Sequence, residues 1–135
     1  RTGILGCMTE GPRVLLVDDD PAMLRLLQIN FRLEGFRVET ASRGDEAVAQ
    51  ALTDPPDVLI LDVMMPGLDG YQVAARLRQD PLFAEVPIVF LTARVMEEDR
   101  AQGEAFGADY LTKPFDPAEL IETVRRRLAG ESDSA

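Results

Sequence analysis

The run Val58-Leu59-Ile60-Leu61 has no polar break, stops at Asp62, and is followed closely by Met65-Pro66-Gly67. A short apolar run bounded by turn residues is the pattern of a strand covered on both faces, as in a parallel sheet flanked by helices. Two more runs share it: Val14-Leu15-Leu16-Val17, which ends at Asp18-Asp19-Asp20, and Ile88-Val89-Phe90-Leu91, which ends at Thr92. Three such strands in 135 residues describe one α/β domain.

The intervening segments read as helices and edge strands. Asp20 is placed to cap a helix whose first turn holds Pro21, whose inner face carries Leu24, Leu27 and Phe31, and which stops at Gly35. Phe36 to Thr40 alternates apolar and polar residues, as an edge strand with one wet face should. Ser42 is expected to cap a short helix that turns Ala47, Val48, Ala51 and Leu52 inward and ends at Asp54-Pro55-Pro56. Met64 to Gly70 reads as a loop, and Tyr71, Ala74 and Leu77 mark a helix that breaks near Asp80-Pro81.

The segment from Glu97 to Phe106 is a weak helix, with Gly103 inside and few apolar contacts. Asp109 to Thr112 is a short strand. Asp116-Pro117-Ala118-Glu119 has the spacing of a capping box, ahead of an inward stripe of Leu120, Val124 and Leu128. Five strands thus alternate with five helices. Right-handed crossovers make this a doubly wound parallel sheet, and with the three apolar strands central and the second and fifth at the edges it fits the flavodoxin-like (βα)5 order 2-1-3-4-5, with its switch point between strands 1 and 3. The expected division is an N-terminal segment 1–12, disordered or an expression remnant with Met8 as the natural start; a domain 13–130; and a disordered tail 131–135.

Composition excludes several kinds of chemistry. There is no histidine, which removes Ser-His-Asp and Cys-His catalysis and histidine-based zinc sites. The single cysteine forbids an internal disulfide and suits a reducing cytoplasm. A net charge of −10 argues against direct nucleic-acid binding, and no apolar run is long enough for a membrane span.

What remains is a set of polar residues just past strand ends: Asp18 and Asp19, Asp62, Thr92 and Lys113. Each has a bland explanation alone, as a helix cap, a turn residue or a solvated charge. Together they land on one rim, at the carboxyl ends of strands 1, 3, 4 and 5. Three crowded carboxylates call for a cation, and oxygen-only ligands suit a hard ion such as Mg²⁺. A carboxylate beside that ion, a lysine and a hydroxyl is equipped to accept a phosphoryl group, with Asp62 as nucleophile. Arg125-Arg126-Arg127 reads as a solvated face with a Glu122–Arg126 helical ion pair, and less readily as a dimer or partner contact.

Val17-Asp18-Asp19-Asp20, Leu61 to Gly70, Leu91-Thr92-Ala93 and Lys113-Pro114-Phe115, in this order, resemble the receiver domain of bacterial response regulators across nearly the whole chain. The resemblance implies that Asp62 accepts a phosphoryl group from a phosphohistidine on a sensor histidine kinase or a histidine phosphotransfer protein. It implies Mg²⁺, or Mn²⁺ in its place, on Asp18, Asp19, Asp62 and the backbone carbonyl of Met64. Backbone groups of Met64 and Ala93 would contact the phosphoryl oxygens together with Lys113, whose bond to Pro114 is expected to be cis.

Thr92 and Tyr110 match the switch pair. Their movement would reshape the surface of the fourth helix, fifth strand and last helix toward a downstream effector protein or effector domain, or toward a homodimer. Met64 and Arg94 match positions that tune hydrolysis of the acyl phosphate. The stretch between Thr92 and Lys113 is slightly shorter than usual for the family. Two other readings compete. A small metal-dependent aspartyl phosphatase would need a second aspartate where Met64 stands, and a phosphorylation-independent pseudo-receiver would not need the full polar set.

Overall fold

The computed structural model describes residues 11–93 and 106–130. Its elements are β1 (Arg13–Val17), α1 (Pro21–Leu33), β2 (Arg37–Ala41), α2 (Gly44–Thr53), β3 (Val58–Asp62), α3 (Gly70–Arg78), a 3-10 turn (Pro81–Phe83), β4 (Ile88–Thr92), β5 (Asp109–Thr112) and α4 (Pro117–Leu128). All strand pairs are parallel, in the order β2-β1-β3-β4-β5. The expected flavodoxin-like sheet is therefore present. Arg94 and all of the expected Glu97–Phe106 helix except Phe106 lie outside the described residues, as do residues 1–10 and 131–135 of the expected terminal segments.

Side chains alternate across each strand, so the apolar runs feed two cores. Leu15, Val17, Leu59, Leu61, Ile88 and Phe90 meet Ala47 and Ala51 of α2 and Val73, Ala74 and Leu77 of α3. Val14, Leu16, Val58, Ile60, Val89 and Leu91 meet Leu27 and Phe31 of α1 and Leu120, Ile121 and Val124 of α4. The central strands β3 and β4 are buried at every position. β2 shows the alternation of an edge strand.

The helix ends test the local reading. Asp20 caps α1 through Ala22 N–H at 3.0 Å, and Gly35, at φ +93°, takes the left-handed turn that releases the chain. Ser42 does not cap α2. The N-cap is Arg43, which makes no side-chain cap bond, while the Glu46 carboxylate accepts from Ser42 N–H at 3.0 Å. Leu52 also turns outward, 48% exposed, because α2 buries only the narrow stripe of Gly44, Ala47 and Ala51.

At α4, Asp116 accepts from Ala118 N–H instead of closing the expected capping box. The reciprocal box forms instead at α3, between Asp69 and Gln72, with both bonds at 2.9 Å. Asp69→Ala is expected to lower stability by about 1 kcal/mol, read from urea unfolding at unchanged m-value.

Candidate functional site

Four strands, β1, β3, β4 and β5, bring polar residues together at the carboxyl end of the sheet. β1 and β3 are neighbours there, so Asp18, one residue past Val17, comes beside Asp62, the last residue of β3. Asp18 is 1% exposed and Asp62 5%. Asp18 is held by the backbone: its Oδ1 accepts from Asp20 N–H at 3.0 Å, and its own N–H donates to Ala41 O at 3.2 Å. Asp19 is exposed, yet its carboxylate joins the other two. Asp18, Asp19 and Asp62 each bring one carboxylate oxygen within 4.8 Å of the others.

Lys113 arrives from β5. Its N–H donates to Thr92 O at 2.7 Å, which extends the β4–β5 ladder by one bond. Its Nζ then lies 3.2 Å from Asp18 Oδ2 and 3.4 Å from Asp62 Oδ1. The Lys113–Pro114 bond is cis, as the resemblance implied. Thr92 ends β4 and is 6% exposed.

The charges are unevenly balanced. Burial, and then the Asp18 carboxylate, push the Asp62 pKa up to about 6, against the opposing pull of Lys113. Burial alone would lower the Lys113 pKa, but the Asp18 and Asp62 carboxylates outweigh it and raise it. One ammonium therefore serves two buried acids, and a third acid stands nearby. The deficit is one of positive charge. A hard divalent cation on Asp18, Asp19 and Asp62 fits that deficit and the all-oxygen donor set.

Met64 and Ala93 lie just past Asp62 and Thr92 respectively, with Met64 72% exposed. Tyr110, on β5, pairs with Phe90 and packs against the α2–α3 core. Its hydroxyl meets the Tyr71 hydroxyl at 2.6 Å. The sequence marks Tyr71 only as a residue of the α3 face. The signal available was its place, one residue after Asp69-Gly70 at a helix start, but nothing local connects it to a residue 39 positions away.

The arginine triplet lies on an exposed to half-exposed face and also reaches neighbouring elements. Arg126 makes the expected pair with Glu122, at 4.0 Å. Arg125 instead binds Glu34 at 2.7 Å and lies over the Phe36 ring at 5.9 Å, while Arg127 reaches Asp109 at 3.5 Å. Two of the three thus tie α4 to the end of α1 and to β5. No helix among the described residues is long and apolar enough to cross a membrane.

Comparison with known proteins gives the frame for this site. The family model for the response regulator receiver domain matches residues 14–125. The chain is 44% identical over 118 residues to the DNA-binding dual master transcriptional regulator RpaA of Synechocystis sp., covering 87% of this chain and 49% of that protein. It thus spans about half the length of that relative. Among solved structures it is similar to the Vibrio cholerae chemotaxis protein CheY4, with a TM-score of 0.82 and 35% identity over 86% of this chain and 98% of that one. It is also similar to the receiver domain of the sensor histidine kinase PA1611 from Pseudomonas aeruginosa, solved with a magnesium ion coordinated in its active-site cleft. There the TM-score is 0.80, with 34% identity over 88% of this chain and 98% of that one. With the family pattern running almost end to end and its fold reproduced strand for strand, the chain belongs to the response regulator receiver domains of two-component signalling.

Proposed function

We propose that this domain takes a phosphoryl group onto Asp62 from a phosphohistidine of a sensor histidine kinase or phosphotransfer protein, and that the modified site resets a surface read by a downstream partner. The observation that carries the reading is the crowding of Asp18, Asp19 and Asp62 around the single Lys113 ammonium. Such a site gains when its negative charge is shared with a cation and when an incoming oxyanion is met by the lysine.

In the transfer, a carboxylate oxygen of Asp62 attacks phosphorus, the P–N bond to the donor imidazole breaks, and the imidazole keeps that electron pair. Asp18, Asp19, Asp62 and the Met64 carbonyl would hold Mg²⁺, with Mn²⁺ as a substitute. When bound, the ion supplies charge neutralisation at the phosphoryl oxygens. Lys113 supplies the second positive charge and Thr92 a hydroxyl donor, with backbone groups of Met64 and Ala93 completing the contacts. Met64 and Arg94 would tune water access in the return hydrolysis, the one reaction besides its own phosphorylation that the domain performs.

Thr92 and Tyr110 would then move together toward the site. Their movement would change the surface of β5 and α4, where a downstream effector protein, an effector domain or a second copy binds. The domain proposed to do this spans 13–130, in the cytoplasm. Incubation with acetyl phosphate and Mg²⁺ is expected to add one phosphoryl group per chain by intact mass, mapped to the peptide containing Asp62, and chelation should stop the reaction. Labelling elsewhere, or labelling indifferent to chelator, would overturn the proposal.

A further inference from the structure

We infer that Tyr71 is a second positioning residue of the switch: its hydroxyl latches Tyr110 inward and so favours the phosphorylated form of the site. The inference rests on the reading of Asp62 as the acceptor and Tyr110 as the switch residue, and it adds the group that holds Tyr110 in place.

The geometry starts at the loop that carries Asp62. Gly70 N–H donates to Val63 O at 3.0 Å, which pins the first turn of α3 to the residue following Asp62. Tyr71 is the next residue, so its hydroxyl is carried on a helix start tied directly to the acceptor loop. Across the sheet face, Tyr110 is held by register: it pairs with Phe90, and the following pair on that face joins Thr92 to Thr112. The Tyr71 ring packs edge-on to Phe90 at 4.9 Å, and the Tyr110 ring lies 5.4 Å from the same Phe90. The two hydroxyls close this triangle at 2.6 Å in a half-buried setting. Rotating Tyr110 outward would break that bond and withdraw its ring from Phe90. The bond therefore weights the inward arrangement, by an amount set by one hydrogen bond between neutral groups.

Reciprocity follows. If an inward Tyr110 goes with a phosphorylated Asp62, then whatever holds Tyr110 inward strengthens binding of a phosphoryl group or its mimic, by at most the factor it contributes to the inward state.

The composition makes this testable, because Tyr71 and Tyr110 are the only two tyrosines and there is no tryptophan. The full chain labelled with 3-fluorotyrosine gives two ¹⁹F signals, one from each partner. Tyr71→Phe keeps the ring and removes only the hydroxyl. It should shift the Tyr110 signal and weaken Mg²⁺-dependent beryllofluoride binding by about threefold to tenfold. Tyr110→Phe should cause a similar loss, and the double variant no further loss, since both remove the same bond.

A Tyr71→Phe chain that binds beryllofluoride as well as the wild type overturns the latch, even if its melting temperature falls. Losses that multiply in the double variant overturn it too. A wild-type chain that takes no beryllofluoride overturns the acceptor reading and the latch with it.

Discussion

Asp62→Asn should abolish phosphoryl transfer and, in magnesium-free buffer at neutral pH, make the protein more stable. The first effect is the loss of the proposed acceptor carboxylate, so labelling by acetyl phosphate should fall below detection. The second follows from the direction of the Asp62 shift. Its ordinary carboxyl pKa of 3.8 rises to about 6 in the folded protein, chiefly through burial and then through Asp18. A carboxyl whose folded pKa lies above its unfolded value binds its proton more tightly when folded. Its contribution is fully present below about pH 4, is lost as pH rises through about 6, and stays lost at neutrality.

At neutral pH the ionised Asp62 therefore opposes folding. Two pKa units correspond to about 3 kcal/mol, of which the neutral amide, itself a buried polar group that needs hydrogen-bond partners, is expected to recover about 1–2 kcal/mol. Asn keeps the shape without the charge, and Lys113 retains Asp18 at 3.2 Å as its partner. Thermal unfolding with chelator present should place Asp62→Asn several degrees above wild type at pH 7.5, with the gap closing toward pH 4. Excess Mg²⁺ should narrow the gap, because a ligand of the folded state stabilises whichever chain binds it better. Equal melting temperatures at pH 7.5 would contradict the strained, charge-crowded site described above.

The second large effect is expected at Gly70, which makes no contact with substrate or metal in the proposed site. A Cβ there would fall 2.5 Å from Asp62 O, 3.0 Å from Val63 Cα and 3.1 Å from Asp62 C. All three are backbone atoms of the acceptor loop, so no side chain is free to turn aside. The loop itself must move. Gly70→Ala is expected to lose about 2 kcal/mol, an overpacking cost only partly offset by alanine's better helix propensity. Displacing the Asp62 backbone by a few tenths of an ångström or more should also slow labelling by at least about tenfold.

Gly67→Ala is the matched comparison. Gly67 sits at φ +75° with open space where a Cβ would go, so alanine there is strained by about 1–2 kcal/mol without pushing on Asp62. Similar losses of stability with unequal losses of labelling would separate displacement of the site from simple weakening of the fold. Equal labelling in all three chains would remove the claim that α3 buttresses Asp62.

Much of this was legible in the chain. Unbroken apolar runs at 14–17, 58–61 and 88–91 have only one comfortable place, between two helical layers, and the residue that ends each run must emerge at the sheet rim. Asp18, Asp62, Thr92 and Lys113 were therefore readable as neighbours before any coordinates. The local rules were less dependable at helix starts. Ser42 has the right chemistry for a cap, but the chain enters α2 one residue later, at Arg43, and Gly44 in the first turn lies close against Leu68. The Asp69–Gln72 box has ordinary spacing, but Gly70 behind Asp69 reads as the end of a loop and hides it.

By itself, then, the sequence determined the layers, which strands are central and which lie at the edges, and which polar residues end them, since these follow from periodicity; the order of the strands came with the family resemblance and is what the sheet shows. Only the tertiary structure decided which charges meet and how closely. Lys113 lies between Asp18 and Asp62 from 95 and 51 residues away, and Tyr71 meets Tyr110 across 39. A hydrogen bond acts over about 3 Å, and no pattern along the chain specifies a distance that short between segments so far apart in sequence. That distance is set by how the helices pack on the sheet, and here the packing turns an aspartate at a strand end into a crowded, half-neutralised carboxylate.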